Sequence, residues 1–451
     1  KNVKVLLTAD CGTKDIEATK YANSQGLDVI ITDHHILGKE QPPALSLINP
    51  HKVGTQTPMQ KLSGAGVAFK FVLVLFKFLN KPLPKELLDF FLAIVTLGTI
   101  SDRMSVLEPM NRAFLLRGVE ALKQTQMKGL VALKQICLEL HADLKPRHLS
   151  RSIVPRLNAP GRIGDREQGI PDSSIVVDLL LLDLEKTSKR KTKDILKRFS
   201  RVLQLDEDMK QDAASALRTA GQVDDINEKR KFLTTKIEDE IEELIEEQVN
   251  PEHDRVIVVQ GHNWNSGVIG IDTDRLKERF LRPAIIITHS DNEPFVRGSC
   301  RSIPTINMYQ MIDAVSDRFI QEHDRPLFCV EVQTQSGTRV VSSFGGHSQA
   351  CGFSMHQNDV DTFLQLLREE ASKLTPEQFH YSYDIIDEVP FDRLGVSLLE
   401  TLDTLLPYGQ AFDFPIFYLK NCRLSKGTSF GNKYQETRDR KSTRLNSSHL
   451  V

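Results

Sequence analysis

A chain of 451 residues exceeds one ordinary domain and can bury two or three cores. Hydrophobic residues make up 40% and charged residues 26%, which excludes a largely disordered chain. The net charge of −2 excludes recognition through global basicity, so any anion-binding surface must be local. The six cysteines (11, 137, 300, 329, 351 and 422) contain no C-x-x-C pair. This argues against a disulfide framework or a thiolate zinc site and fits a reducing cytoplasm. No apolar run is long enough to span a bilayer, and no signal peptide is visible.

The first predicted element is the strand "VKVLLTAD", followed by Cys11-Gly12. A helix over 14–25, Gly26 and the strand "LDVIITD" follow. This βαβ rhythm implies a parallel sheet with helices on both faces. "GVAFKFVLVLFKFL", "ELLDFFLAIVTLGTI" and "NRAFLLRGVEALKQ" read as helices, the first two buried. From 184 to 249 glycine and proline almost vanish and charge rises, while Leu233, Ile237, Ile241 and Leu244 form a helical stripe. One long helix joining two lobes is the expectation, without the sustained heptads of a coiled coil. A second α/β unit begins at "DRVIVVQG" and continues through "PAIIIT", "RGSCRSI" and "FGGHSQACGF" to a helix near "DVDTFLQLLREEASKL". After Phe379 a small β module begins, and the polar, aperiodic "RDRKSTRLNSSHLV" reads as a non-native tail.

Asp10 and the triplet Asp33, His34 and His35 fall at the carboxyl ends of two predicted parallel strands, the edge where open α/β sheets bind ligands. Asp102 follows a buried helix and a break at Gly98. Carboxylates with imidazoles and no thiolate suit Mn²⁺ or Mg²⁺, and a pair of such ions activates water and clamps a phosphoryl group. The competing reading makes these aspartates helix caps and the histidines surface residues. Arg156, Asn158, Arg162 and Asp165 form "RLNAPGRIGD", preceded by Lys145, Arg147, His148 and Arg151. This stretch can track a phosphate backbone, or be a solvated loop with Arg–Asp pairs. Ser299, Arg301 and Ser302 offer hydroxyls and a guanidinium fork for a terminal phosphate. His347 follows two glycines and precedes what reads as a small-residue helix start. Glycine turns between strands explain the last two clusters equally well.

The ordered motifs "TADCG", "TDHH", "LSGAGVAFK", "GTISD", "RLNAPGR", "NSGVIG", "RGSCRSI" and "GGHSQACGF" resemble those of the RecJ exonucleases, a branch of the DHH phosphoesterase superfamily. The resemblance covers roughly residues 1 to 435. It implies a 5′-to-3′ exonuclease on single-stranded DNA that releases mononucleotides in recombination and repair. It also implies an α/β fold: a parallel-sheet DHH domain over 1–185, a helical linker over 186–250 and a DHHA1 domain over 251–376. A partial oligonucleotide-binding (OB)-like β module over 380–436 and the tail over 437–451 complete the expectation. By the same resemblance Asp10 bridges two Mn²⁺ or Mg²⁺ ions, His34 and Asp102 complete one ion's shell, Asp33 orients from behind, and His35 faces the scissile phosphate. Arg156, Asn158, Arg162, Ser299, Arg301, Ser302 and His347 hold the DNA or its 5′ phosphate, with Arg301 foremost. A single-strand-binding protein and a helicase are the implied partners of a cytoplasmic monomer that does not engage a membrane.

Four departures from that pattern stand out. The Asp-x-Asp motif expected on a preceding strand is absent, so the chain by itself is expected to be inactive although its full-length parent is active. Trp264-Asn265 replaces a tryptophan-histidine pair, and "GIDTDRL" puts acids where small apolar residues are usual. "GQAFDFP" lacks the usual Asn-Pro-Glu-Pro. Two other readings remain: a DHH phosphodiesterase on short oligonucleotides or cyclic dinucleotides, and a non-catalytic DNA-binding scaffold. The long linking helix and added β module speak against the first. The intact Asp10, His34, His35 and Asp102 speak against the second.

Overall fold

A computed structural model describes residues 3–38, 40–52, 57–137, 144–182, 213–291, 293–334, 337–380, 384–420, 423–430 and 434–442. The chain divides into two compact units. One comprises Lys1–Thr125, Asp143–Ser150 and Ser382–Val451, the other Gln126–Ala142 and Arg151–Tyr381.

The first unit opens with the expected βαβ. Strand β1 (Val5–Ala9), helix α1 (Ile16–Ser24), β2 (Asp28–Thr32) and β3 (Ser46–Ile48) give a three-stranded parallel sheet in the order β1-β2-β3. Val29, Ile31 and Leu47 close on Ala22 of α1 as a small core, which fixes the register of β2. Three helices follow: α2 (Gly64–Phe78), α3 (Lys85–Ser101) and α4 (Pro109–Gln124). Leu62, Val67, Phe69, Leu92, Val95, Phe114 and Ala121 form their shared core.

Gly98 does not break α3, which continues to Ser101. A Cβ at Gly98 would lie 2.6 Å from the Cβ of Ala65, so this glycine permits close approach of α2 and α3. Asp102 is therefore the C-cap of α3, its N–H bonded to the Gly98 carbonyl at 2.9 Å.

The second unit begins with α5 (Lys128–Cys137), α6 (Val154–Ile163), α7 (Ser174–Leu181) and the 36-residue α8 (Ala213–Gln248). The loop reading of "RLNAPGR" fails, because these residues lie in α6 with Pro160 inside the helix. Ile237, Ile241 and Ile245 of α8 are buried, and the helix packs on α5, α6 and the following strand. The described part of the long helix thus belongs to the core of one unit. The start of the expected linker, up to residue 212, lies outside the described residues.

Strand β4 (Ile257–His262), α9 (Ile269–Phe280), β5 (Ala284–His289), β6 (Phe295–Arg301), α10 (Met308–His323), β7 (Cys329–Thr334), β8 (Gly337–Ser342), β9 (Phe344–His347), β10 (Ala350–His356) and α11 (Val360–Ala371) complete this unit. Its main sheet runs β4-β5-β6-β10-β9, with β4 and β5 parallel and the remaining pairs antiparallel. "GGHSQACGF" is a hairpin of β9 and β10 and does not begin a helix. β5 is buried on both faces from Ala284 to Ile287, which explains its unbroken apolar run.

After Phe379, β11 (Ile385–Glu388) pairs in parallel with β12 (Ile416–Tyr418), and α12 (Val396–Asp403) lies between them in the chain. Arg112 of α4 donates to the carbonyls of Leu405, Leu406 and Pro407, tying this segment to the first unit. β13 (Arg423–Phe430) pairs antiparallel with β14 (Tyr434–Ser442), so β14 includes the first residues of the expected tail, whose last residues lie outside the described set. No helix among the described residues is long and apolar enough to cross a membrane.

The acids of "GIDTDRL" differ in environment. Asp272 of α9 is 2% exposed, Arg275 lies 2.9 Å from its Oδ1, and its Oδ2 has no hydrogen-bond partner among the described residues. Burial pushes its pKa up to about 6, and the Arg275 charge offsets this only partly. A raised folded-state pKa means that the folded chain holds the proton more tightly, so stability falls as pH rises from about 4 to 6. Asp272→Asn is therefore expected to flatten this dependence and to raise stability at pH 7 by roughly 2 kcal/mol. Denaturant melts of both forms at pH 4, 5, 6 and 7 check it.

Candidate active site

Three chain segments of the first unit meet at the carboxyl end of the parallel sheet. The chain leaves β1 through Asp10, which adopts a left-handed backbone conformation (φ 64°) that aspartate tolerates better than most residues. The Asp10 N–H bonds the Thr32 carbonyl at 2.9 Å, so the turn is tied to the end of β2. The side chain turns towards the first residue of α2. A Cβ on Gly64 would stand 2.0 Å from Asp10 Oδ1, so only glycine leaves room for the carboxylate there. Ser63 caps the helix by accepting from the Gly66 N–H at 3.2 Å. The Asp10 carboxylate thus gains from the positive end of α2.

From β2 come Asp33, His34 and His35. Asp33 is 1% exposed and does not reach the surface. Its Oδ2 accepts from the Thr13 N–H at 3.0 Å. Its Oδ1 accepts from the His34 N–H at 2.8 Å and from His35 Nδ1 at 2.7 Å. Burial alone would raise its pKa, but the hydrogen bonds from Thr13, His35 and His34 prevail and hold it at about 2. An ionised carboxylate only accepts, so Nδ1 of His35 carries the proton in this bond. Asn49 braces the turn from β3. Its Nδ2 donates to Thr13 Oγ1 at 3.0 Å and to the His35 carbonyl at 2.9 Å.

His34 occupies the centre. Its Nε2 lies 3.2 Å from Asp10 Oδ1 and 3.3 Å from Asp102 Oδ2. Burial lowers the pKa of this imidazole, but the two carboxylates outweigh it and the net shift is upward. Two negative oxygens converge on a nitrogen that can offer one N–H. Asp102 also places its charge at the C-terminal end of α3, where the helix dipole disfavours an anion. A cation at this point relieves both strains. Ligand atoms of Asp10, His34 and His35 all lie within 4.8 Å of one another. The donor set of carboxylate oxygen and imidazole nitrogen fits a hard or borderline divalent ion. Cys11 is nearby in sequence, but its pKa is raised by burial and the surrounding carboxylates, which disfavours the thiolate.

The remaining expected site residues lie in the second unit. β6 alternates faces: Arg297, Ser299 and Arg301 line one side, while Val296, Gly298 and Cys300 are buried on the other. Ser299 and Arg301 open onto a cavity of about 680 Å³ that Ser266, Arg297, Ser343 and Gly345 also line. Ser302 is 2% exposed, and its buried Oγ has no hydrogen-bond partner among the described residues, so it is not placed to touch a surface ligand. His347 ends β9 and is exposed, outside the cavity lining. Arg156 is bound to Asp224 of α8 at 2.6 Å and to the Ser152 carbonyl at 2.8 Å, a structural pairing between helices. Asn158 is half-buried on α6, and Arg162 reaches the Gly267 carbonyl at 3.1 Å. Sequence reasoning missed Thr13, Asn49, Gly64 and Arg297. Only Arg297 carried a signal, the period-two spacing to Ser299 and Arg301.

Residues 2–95 match the DHH family, N-terminal domain. The single-stranded-DNA-specific exonuclease RecJ of Bacillus subtilis is 28% identical over 432 residues, covering 96% of this chain and 46% of that protein. The chain is thus similar to RecJ exonucleases along nearly its whole length. RecJ of Escherichia coli is 26% identical over 435 residues, covering 92% of this chain and 65% of that protein. The chain thus spans about half to two thirds of the length of these relatives. The fold is that of RecJ from Thermus thermophilus solved with Mn²⁺, with a TM-score of 0.71 at 23% identity, covering 99% of this chain and 57% of that one. The Asp33-His34-His35 triplet falls inside the matched domain.

The tight seat of Asp10 gives a direct test. Gly64→Ala places a methyl group where the Asp10 carboxylate lies. Mn²⁺ affinity, read by titration calorimetry, is expected to fall about tenfold or more, the loss typical of displacing a metal site's support. Gly221→Ala, where a Cβ meets open space within α8, is expected to leave it unchanged.

Proposed function

We propose that this chain carries the catalytic region of a metal-dependent 5′-to-3′ exonuclease that removes 5′-mononucleotides from single-stranded DNA in recombination and repair. The observation that carries it is the meeting of Asp10 and Asp102 at His34 Nε2, backed by buried Asp33, in a chain similar to RecJ. Asp10, His34 and Asp102 would hold Mn²⁺ or Mg²⁺, which when bound supplies an activated water and charge neutralisation on the phosphate. Asp33 keeps His35 in one tautomer and orientation. His35 would face the scissile phosphate.

Arg301, Ser299 and Arg297 make an anion-binding face suited to a terminal phosphate. Arg162 and Asn158 would contact the strand from α6, and His347 from its hairpin. Arg156 supports this surface through its Asp224 pair rather than by touching DNA. The division into a DHH domain, a helical linker and a DHHA1 domain stays part of the proposal. The compact units, however, place residues 151–181 and the described part of the long helix with the later α/β sheet.

Incubation of the protein, extended at its amino end by an Asp-x-Asp strand and set beside the 451-residue chain, with 5′-phosphorylated single-stranded DNA and Mn²⁺ tests the reading, and only the extended form is expected to act. Mononucleotides carrying the 5′ phosphate are the expected product, and Asp102→Asn is expected to reduce the rate at least about a hundredfold by removing charge from the metal shell. Arg301→Ala is expected to abolish the preference for a 5′-phosphorylated over a 5′-hydroxyl end while Mn²⁺ affinity holds. Hydrolysis of cyclic or very short substrates alone, with longer strands untouched, would replace this reading with that of a small phosphodiesterase.

A further inference from the structure

The second acid of "GIDTDRL" stands beside the anion-binding face. Asp274 lies on α9, and its Oδ2 accepts from Nε of Arg301 at 3.3 Å. Its Oδ1 accepts from Lys277 Nζ one turn further on at 3.0 Å, which fixes the carboxylate on its own helix. Both Asp274 and Arg301 are about one-fifth to one-quarter exposed. The other edge of the guanidinium is anchored too. Nη1 donates to the Cys300 carbonyl at 2.9 Å and to Ser299 Oγ at 3.3 Å. Among the described residues no hydrogen bond uses Nη2. That nitrogen lies over the first turn of α9, 2.9 Å from where a Cβ on Gly270 would stand.

A guanidinium in this place needs a reason to stay. The first turn of a helix is the positive end of its dipole and repels a cation. Arg301 is also long and can reach several rotamers, each with its own direction for the fork. A carboxylate on Nε removes both problems, because it neutralises the local charge and fixes the plane. The Nη2 donors are then left for a ligand.

We propose that Asp274 is a positioning residue that holds Arg301 over the first turn of α9 so that Nη2 meets the terminal phosphate of a DNA strand. This rests on the assignment of Arg301 to a 5′ phosphate. Asp272, two residues earlier, points into the interior and takes no part. The two acids of one helix turn therefore have separate roles, one paired with Arg275 and the other with the binding arginine.

The test measures binding of two oligonucleotides of one sequence, 5′-phosphorylated and 5′-hydroxyl, to the full chain without divalent metal. The readout is the ratio of their affinities, which a general loss of folding or of backbone binding would not move. Asp274→Asn is isosteric and keeps the fold, and thermal melts verify it. The ratio is expected to fall about tenfold, the scale of one charge-assisted contact. Asp274→Glu is expected to restore most of it, and the double variant with Arg301→Ala to be no lower than Arg301→Ala alone. An unchanged or increased ratio in Asp274→Asn would overturn the proposal, the increase identifying Asp274 as a competitor of the phosphate. A wild-type chain that does not distinguish the two ends would overturn both the proposal and the phosphate assignment beneath it.

Discussion

Everything at the sheet edge depends on one buried carboxylate. Asp33 sits almost wholly out of water, where an unpaired charge is not tolerated. Its stability there requires donors, and it takes them from Thr13, His34 and His35. Those donors come from two different crossovers of the sheet, so satisfying the charge also fixes the turn after β1 against the turn after β2. His35 receives its tautomer from the same bond. His34, beside Asp33 in the chain, brings its Nε2 to where Asp10 and Asp102 converge. The order of the site is therefore a consequence of charge burial at its base.

The carboxylates that surround His34 are held by different means. Asp10 uses a left-handed backbone and the space left by Gly64. Asp102 closes α3, a helix brought near α2 because Gly98 has no side chain to obstruct it. Both devices work by absence of a methyl group, which limits where each carboxylate can lie. A metal shell requires such limits, since its ligand distances tolerate little error. The second unit solves a related problem with an ion pair, where Asp274 and Lys277 fix the arginine that faces the cavity.

Much of this was legible along the chain. The βαβ rhythm, the Asp33-His34-His35 triplet at a strand end and the apolar helices could be read because burial imposes a period, and the sheet edge gives polar residues a place to gather. The stripe on the long helix was visible too, but its role was not. Its residues were expected to join two lobes, whereas the described part packs on α5, α6 and β4 within one unit. Glycine misled at one place. Gly98 suggested a break and marks a close helix contact. The small residues after His347 suggested a helix start and belong to a hairpin, as the alternative of a glycine turn between strands allowed. A glycine tells only that a side chain is missing, and which neighbour requires its absence is a tertiary fact.

By itself the sequence determined the residue types at the sheet edge, their place at strand ends, and the α/β class. Those follow from local periodicity and from chemistry that only Asp, His and Arg can supply. The tertiary structure alone decided that Asp102 meets Asp10 on one imidazole nitrogen, across ninety-two positions of chain. It also decided that Arg156 is committed to Asp224, that Ser302 is buried, and that Arg297 joins Ser299 and Arg301. Pairing between distant charges depends on which surfaces the packed helices and sheets bring together, and no pattern within a short window encodes that.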